Sequence, residues 1–211
     1  MTKNSGFHIA ACIMALFAMM ACNPSEKGTS RIHGVVDNPQ LNGKQIFLVP
    51  LEDSSAEAVD SVYIKDGKFE FATDTCHMAQ IIMDYHFRDG VQRLLIVTEP
   101  GDIDVSIGAS SHSSGTPGND SLEVWKKATE KHTREVSSFR LAAKEMAKTD
   151  KARAEQLLAS ADSVHRAYQQ YTRQMAASIG KGALADFLGG LYPTSYPKRN
   201  ADGTIDTVYV E

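Results

Sequence analysis

The stretch that decides the fold is residues 119–179, NDSLEVWKKATEKHTREVSSFRLAAKEMAKTDKARAEQLLASADSVHRAYQQYTRQMAASI. It contains two runs of residues that recur at alternating steps of four and three, and this spacing places each run on one face of a helix. The two runs are Trp125, Thr129, His132, Val136, Phe139, Ala143 and Met146, and then Ala154, Leu157, Ala161, Val164, Tyr168, Tyr171 and Met175. Only a short connection separates the runs. The stretch therefore predicts two long antiparallel helices that cover each other.

The ends of the two helices are marked by residues that favour helix boundaries. Asp120 is placed to cap the first helix, with Glu123 at the reciprocal position of a capping box. Asp150 is placed to cap the second helix. Gly180 and Gly182 are predicted to end it, because glycine adopts positive φ without a Cβ penalty.

Residues 30–109 consist of short apolar runs separated by turn residues at regular intervals. The pattern predicts about seven short strands in an antiparallel sandwich or barrel. Asp66 and Gly67 lie between two of these runs, and Asp-Gly in that position favours a two-residue type I′ turn.

The other segments are read from their turn residues. Residues 110–118 are rich in Ser and Gly and predict a linker. Residues 180–211 predict a short helix and an irregular tail, with one strand at 204–210. The predicted fold class is α+β, with a small antiparallel β-sandwich or barrel-like domain (30–109) followed by a long antiparallel helical hairpin (119–179).

The first residues predict export. An apolar run at 9–20 is too short to cross a bilayer and is typical of a signal peptide, here 1–21. Its end, Ala21-Cys22, resembles the bacterial lipobox, which implies cleavage before Cys22 and acylation of that residue; cleavage without lipidation stays open. Residues 22–29 then predict a flexible tether. We expect a lipoprotein held on a membrane of the cell envelope, by inference the outer membrane.

The charge of the chain is modest and uneven. The net charge of −4 gives no indication of a nucleic-acid partner. Residues 119–179 hold 11 Lys and Arg against 8 Asp and Glu, whereas the remaining chain from Cys22 holds 10 against 18. Two interpretations stay open: solvated faces on both parts, or docking of the acidic and basic parts on each other or on a partner.

The cysteines and histidines predict no metal or cofactor. Cys12 falls in the signal peptide and Cys22 is the lipidation site, so Cys76 is expected to be a lone structural cysteine without an intrachain disulfide. No Cys-x-x-Cys occurs, and the six histidines after the signal show no ligand spacing.

Catalysis is not expected either. Acidic residues near one turn predict a solvated turn rather than an acid–base or calcium site; they are Glu99, Asp102 and Asp104. The serines around His112 lie in the predicted linker, which cannot position a nucleophile and its base. We therefore predict a protein that is not an enzyme.

The helical seam carries the residues of greatest interest for binding. Trp125, Tyr168 and Tyr171 are candidates to line a pocket between hairpin and sheet, although aromatic residues at helical spacing also form cores. His132 lies on the same seam and is a candidate contact residue or a packed, hydrogen-bonded histidine.

Four sites resemble the Asp-Ser/Thr-apolar triplets that are O-glycosylated on exported proteins of some bacteria. The hydroxyl residues concerned are Ser61, Ser121, Ser163 and Thr207. A triplet arises easily by chance, and helix capping also explains the one at Ser121.

Several short motifs occur in the order known from one family. They are RIHG at 31–34, DS at 60–61, DGKFEF at 66–71, EPGDI at 99–103 and GTPGND at 115–120, followed by a long helix with Trp125. Over roughly residues 30–180 the chain resembles the domain of unknown function that lies behind a lipoprotein signal and before a TlpA-like thioredoxin domain in many Bacteroidetes-type bacteria. The resemblance implies fold and location. It does not carry over redox activity, which in those relatives belongs to the thioredoxin domain, and this chain ends about where that domain would begin.

The leading functional hypothesis is a non-catalytic binding or interaction module of the envelope, with another envelope protein or a second copy as partner. The alternative is an accessory role in a periplasmic thiol–disulfide redox system, through Cys76 or a separate thioredoxin-like protein. A third, weaker hypothesis is storage of a small ligand under the hairpin.

Overall fold

The computed structural model describes residues 28–53, 55, 57–83, 93–193, 195–199 and 204–209. The predicted signal peptide 1–21, the lipidation site Cys22 and most of the tether 22–29 lie outside the described residues. Within the described part, no helix is both long enough and apolar enough to cross a membrane.

The described chain is mixed α+β. Its strands, in chain order, are β1 Ser30–Val36, β2 Gln45–Pro50, β3 Asp60–Tyr63, β4 Lys68–Thr73, β5 Met78–Met83, β6 Leu94–Val97, β7 Gly101–Ile107, β8 His112–Ser114, β9 Ser195–Arg199 and β10 Ile205–Tyr209. Its helices are α1 Pro117–Met146, α2 Lys151–Ile179 and α3 Ala183–Leu191. The predicted fold class is confirmed.

Two four-stranded sheets pack face to face, in the orders β4-β1-β7-β8 and β3-β2-β5-β6. Side chains from both inner faces form one buried cluster, which includes Ile32, Phe69 and Ile103 from the first sheet and Ile46, Ile81 and Ile96 from the second. The expectation of a purely antiparallel domain is wrong at one place, because β1 and β7 run parallel. Parallel neighbours require a crossover, and the chain segment between β1 and β7 provides it. That segment contains all four strands of the second sheet together with β4.

The turn at Asp66-Gly67 has the predicted backbone, with φ of 51° and 70° at its two residues. Its flanking strands nevertheless part at once: a single bridge joins Lys65 to Lys68, after which β3 pairs with β2 and β4 pairs with β1. The turn therefore forms a corner between the two sheets and does not close a two-stranded hairpin.

The two long helices are confirmed, and every residue of the two predicted seams is buried or half-buried. Asp150 caps α2 as predicted, since its side chain accepts a hydrogen bond of 2.9 Å from the amide of Arg153. Gly180 ends α2 with φ of 85°. The capping box at Asp120 is wrong, because α1 begins three residues earlier, at Pro117.

The Ser/Gly stretch 110–118 is not a free linker, because it contains β8, which pairs with β7. After α2, the predicted short helix is present as α3. The tail is more regular than expected, since β9 and β10 pair with each other as a separate two-stranded sheet.

Candidate functional site at the base and seam of the helical hairpin

A buried carboxylate fixes the start of α1 to the sandwich. Glu99, in the turn between β6 and β7, is 4% exposed. Its Oε1 accepts hydrogen bonds from the amides of Gly118, at 2.6 Å, and Asn119, at 3.2 Å. These amides belong to the first turn of α1 and have no partner within the helix. Glu99 therefore supplies the cap that the sequence suggested for Asp120, and the expectation that Glu99 lies on a solvated turn is wrong.

Burial raises the pKa of the Glu99 carboxyl, and the nearby charge of Asp120 acts in the same direction. Hydrogen bonds from Thr116, Gly118 and Asn119 oppose this rise by favouring the ionised form. The positive end of the helix dipole also favours a negative charge at this place. Among the other carboxylates of this turn, Asp102 is exposed and pairs with Arg31 at 2.7 Å.

Asn119 provides the second polar link at the base of the hairpin. Its side chain is fully buried, donates to the carbonyl of Val97 at 2.8 Å and accepts from the amide of Val97 at 3.1 Å. It also donates to Thr116 Oγ1 at 2.8 Å. Val97 belongs to β6, an edge strand of its sheet. Asn119 thus occupies hydrogen-bonding groups that an edge strand would otherwise leave open.

An apolar cluster surrounds these polar links and joins the helices to the second sheet. Its buried members are Met78, Val97, Leu122, Leu184 and Leu188. Trp125 packs against this cluster, with its ring edge-on to Phe187 of α3 at a centroid distance of 5.8 Å. Its indole N–H donates to Thr172 Oγ1 of α2 at 3.3 Å. The structure therefore places Trp125 among α1, α2 and α3.

One to two turns farther along the hairpin, the structure forms what we call the histidine cluster: His132, His165, Tyr168 and Tyr192. His132 Nε2 and His165 Nδ1 are 3.1 Å apart. The His132 ring stacks on Tyr168 at 4.1 Å with planes 10° apart. Tyr192, just after α3, meets both His165 and Tyr168 edge-on at 6.1 Å.

Of the candidates named from the sequence, the structure thus brings His132 and Tyr168 into direct contact, and Tyr171 lies 6.5 Å from Tyr168 between ring centroids. His165 and Tyr192 were missed. His165 lies four residues after the seam residue Ala161 and three before Tyr168, so the helical spacing alone could have indicated it. Nothing in the sequence pattern indicates that Tyr192 returns to this place.

The electrostatics of the cluster oppose extra positive charge. Partial burial lowers the pKa of His132, and the proximity of His165 and Arg140 lowers it further, while Glu135 opposes the shift. Burial and the neighbouring Tyr168 raise the pKa of Tyr192, which is therefore neutral near pH 7.

Comparison with known proteins yields one finding. Residues 30–122 match the family model of a domain of unknown function, DUF4369. No curated protein and no solved structure matches the chain.

The DUF4369 match ends inside the first turns of α1. It includes the sandwich and both polar links at the base, Glu99 and Asn119. The histidine cluster and most of the hairpin follow the matched residues. The matched region is thus the sandwich together with the point at which the hairpin is fixed.

Beyond the histidine cluster, α1 and α2 pack against each other. Their buried side chains there are small, apart from Val136, and include Ala143, Ala154 and Ala161. None of these four residues belongs to either of the hydrophobic clusters of the sandwich and the base. Leu141 and Leu158 are 60% and 47% exposed. In this distal part of the hairpin, large apolar side chains are therefore accessible to a partner.

The structure has Cys76 half-buried and disulfide-bonded, in a chain that retains Cys12 and Cys22. The expectation of a lone Cys76 concerns the mature chain, without Cys12 and with an acylated Cys22, and for that chain it stays a prediction. The adjacent His77 has a buried Nε2 without a hydrogen-bond partner among the described residues, and burial lowers its pKa. In the described part of the chain, no three His, Cys, Asp or Glu side chains form a group that could hold a metal ion.

The four triplets with a candidate glycosylated hydroxyl differ in access. Ser163 on α2 and Thr207 on β10 are exposed. Ser61 is half-buried on β3, and its hydroxyl accepts a hydrogen bond of 2.9 Å from Gln45. Ser121 is half-buried in the first turns of α1. Access therefore favours Ser163 and Thr207 as modification sites.

An open depression lies on the outer face of the sheet β4-β1-β7-β8. It is bordered by His33, Lys68, Glu70, Asp104 and His112. His33 Nδ1 is 3.4 Å from Glu70 Oε1, and both side chains are exposed to solvent, by 44% and 78%. Exposed ion pairs of this kind contribute little to the stability of the fold. The depression has the character of a solvated sheet face.

Proposed function

We propose that this chain is a non-catalytic interaction module of the cell envelope, held on a membrane by a lipid at Cys22. The observation that carries the proposal is the distal hairpin, which is fixed at its base. Beyond the histidine cluster, among the residues that the structure describes, only its own two helices support it. Paired helices of this kind offer an extended contact surface to a partner.

The dimensions support this proposal. Helices α1 and α2 contain 30 and 29 residues, which is roughly 45 Å each at 1.5 Å per residue. Leu122 and Trp125, in the first turns of α1, pack at the base. Several turns therefore extend past these contacts at the base, and the exposed Leu141 and Leu158 lie on that distal part.

Charge distribution also favours a binding role. Residues 30–109 hold 6 Lys and Arg against 13 Asp and Glu, whereas residues 119–179 hold 11 against 8. Two parts of opposite net charge attract different surfaces, and such fields steer encounters between proteins. The partner is another envelope protein or a second copy of this chain.

A shortened hairpin tests the interaction. Deleting residues 134–144 and 153–163 removes roughly three helical turns from each arm at 3.6 residues per turn and keeps the seam in phase. The base and the histidine cluster stay. In cross-linking on intact cells, with sedimentation of the purified protein, we expect specific adducts or self-association of the full chain that the shortened variant loses. Identical behaviour of two folded proteins contradicts the proposal.

The membrane anchor is tested separately. We expect metabolic labelling with a fatty-acid analogue to mark the wild type, and Cys22→Ala to lose both the label and its membrane fractionation. Cys12→Ala is the matched control and should behave as the wild type. If Cys22→Ala stays acylated and membrane-bound, the anchor is elsewhere.

Intact mass of the native protein also tests sugar at Ser163 or Thr207.

The disulfide at Cys76 supports one alternative, an accessory role with a separate thioredoxin-like protein. Such a protein exchanges its own thiol pair with a partner disulfide. A Cys22 that carries a lipid on its sulfur cannot also be the disulfide partner of Cys76. Intact mass under non-reducing conditions therefore distinguishes an acylated Cys22 from a disulfide between Cys22 and Cys76. The role predicts that a reduced thioredoxin-like protein accelerates reduction at Cys76. No acceleration over a small thiol reagent argues against it.

A further inference from the structure

Two imidazoles meet inside the hairpin seam, with ring centroids 5.2 Å apart and ring planes inclined at 32°. His132 on α1 and His165 on α2 place Nε2 and Nδ1 3.1 Å apart, which is hydrogen-bonding distance. A neutral imidazole carries one donor and one acceptor nitrogen, so this contact requires a hydrogen on one of the two nitrogens and a lone pair on the other. The pair holds one proton between α1 and α2.

Side chains from α2 and from the end of α3 pack around the two histidines. The side-chain amide of Gln169 lies 3.1 Å from His165 Nε2, the other ring nitrogen. Tyr168 stacks on His132, and Tyr192 packs edge-on to His165. The carbonyl of Tyr192 accepts a hydrogen bond of 3.1 Å from Arg173 Nε. The contact thus joins α1, α2 and the residue that leads from α3 into the tail.

We propose that His132 and His165 form an acid-sensitive latch that holds α1 against α2, and Tyr192 against both. One added proton is accommodated as a charged N–H···N bond. A second proton gives every ring nitrogen a hydrogen, so that two donors and two positive charges face each other across the seam. The folded hairpin therefore resists the second proton, and acidification opens the seam.

The neighbouring groups do not cancel this repulsion. On α1, Glu135 favours positive charge at His132, but Arg140 and partial burial oppose it. From α2 and the segment after α3, the side chains of Tyr168, Gln169 and Tyr192 pack around the pair. The charged group of α2 at this place is Arg173, which binds the Tyr192 carbonyl and adds positive charge.

The direction of the pH effect follows from proton counting. An unperturbed histidine titrates at about pH 6.5. In the folded hairpin, burial and the proximity of His165 and Arg140 lower the pKa of His132, so the second proton of the pair is taken up at lower pH. Below about pH 6.5 the unfolded state binds more protons, so stability falls as pH falls. A difference of one proton changes the folding equilibrium by about tenfold per pH unit until the folded pair accepts its second proton.

A double-mutant cycle at two pH values tests the latch. Unfolding of the wild type, His132→Gln, His165→Gln and the double variant is followed through Trp125, the single tryptophan, which bridges α1 and α2. We expect a favourable coupling between the two positions at pH 7.5 that is lost or reversed at pH 5.0. His112→Gln, at an exposed position of strand β8, is the matched control and should leave the pH dependence unchanged. An equal coupling at both pH values overturns the proposal.

A titration of the wild type keeps the test independent of whether the variants fold. The ring Cε1 protons of His132 and His165, followed by NMR, should show two separate steps, the second well below about pH 6.5. The Tyr192 ring signals should shift with that second step. Two independent single-step titrations near the ordinary value contradict the latch.

Discussion

Alanine in place of Glu99 removes the acceptor on which the first amides of α1 depend. The half-buried amide of Gly118 and the buried amide of Asn119 then lose Oε1 as their acceptor. Each unsatisfied buried donor costs about 1–3 kcal/mol. Because water can reach part of the vacated space, we expect Glu99→Ala to lower the free energy of unfolding by about 2–4 kcal/mol.

Glutamine at the same position separates hydrogen bonding from charge. Glu99→Gln keeps a carbonyl oxygen for both amides and loses the negative charge. Burial raises the pKa of Glu99, so the neutral form fits this site without the desolvation penalty of the carboxylate. We therefore expect Glu99→Gln to stay within about 1 kcal/mol of the wild type at pH 7.

Thermal and urea unfolding of the three proteins measure the difference. For a chain of this size, about 2–4 °C of melting temperature corresponds to 1 kcal/mol, so Glu99→Ala should melt roughly 5–15 °C lower. The folded pKa of Glu99 lies above its unfolded value, so the folded state binds more protons as pH falls from 7 towards 5. The wild type should therefore gain stability relative to Glu99→Gln over that window. Equal damage from both substitutions would refute the reasoning.

The remaining predictions concern glycines and a helix cap. Gly34→Ala places a Cβ inside the ring of Phe69 and should destabilise by about 1–3 kcal/mol in urea unfolding. Gly189→Ala, in α3 with open space around its Cα, is the matched control and should stabilise by about 0.5–1 kcal/mol. Asp150→Ala removes the acceptor for the Arg153 amide and should cost about 1 kcal/mol, seen as lower α2 helicity on heating; no change would mean that the cap is replaced by water.

Local sequence patterns predicted the elements that depend on near neighbours. The seam spacing defined both long helices, Asp150 marked the start of the second, and Asp66-Gly67 marked a turn with positive φ. Each of these depends on residues only a few positions apart. Helical periodicity, helix capping and the backbone conformation of turns are all determined by residues at such short separations.

The features that sequence patterns missed depend on contacts between distant segments. The parallel pairing of β1 with β7 joins residues about 70 positions apart, and no local pattern encodes that register. Glu99 belongs to a turn whose composition is typical of solvent exposure, and only its partner across the base makes it a cap. His165 and Tyr192 meet because α3 returns the chain to the hairpin.

The position of β1 has a mechanical consequence for a tethered molecule. Strand β1 is an inner strand, paired with β4 on one side and β7 on the other, and Ser30 Oγ at its start donates to the backbone carbonyl of Glu99 at 2.6 Å. Tension applied through the preceding residues would load two rows of hydrogen bonds in shear instead of unzipping one row. The same force would act first on Glu99, which fixes the start of α1. The direction of pull would therefore affect the orientation of the helical hairpin.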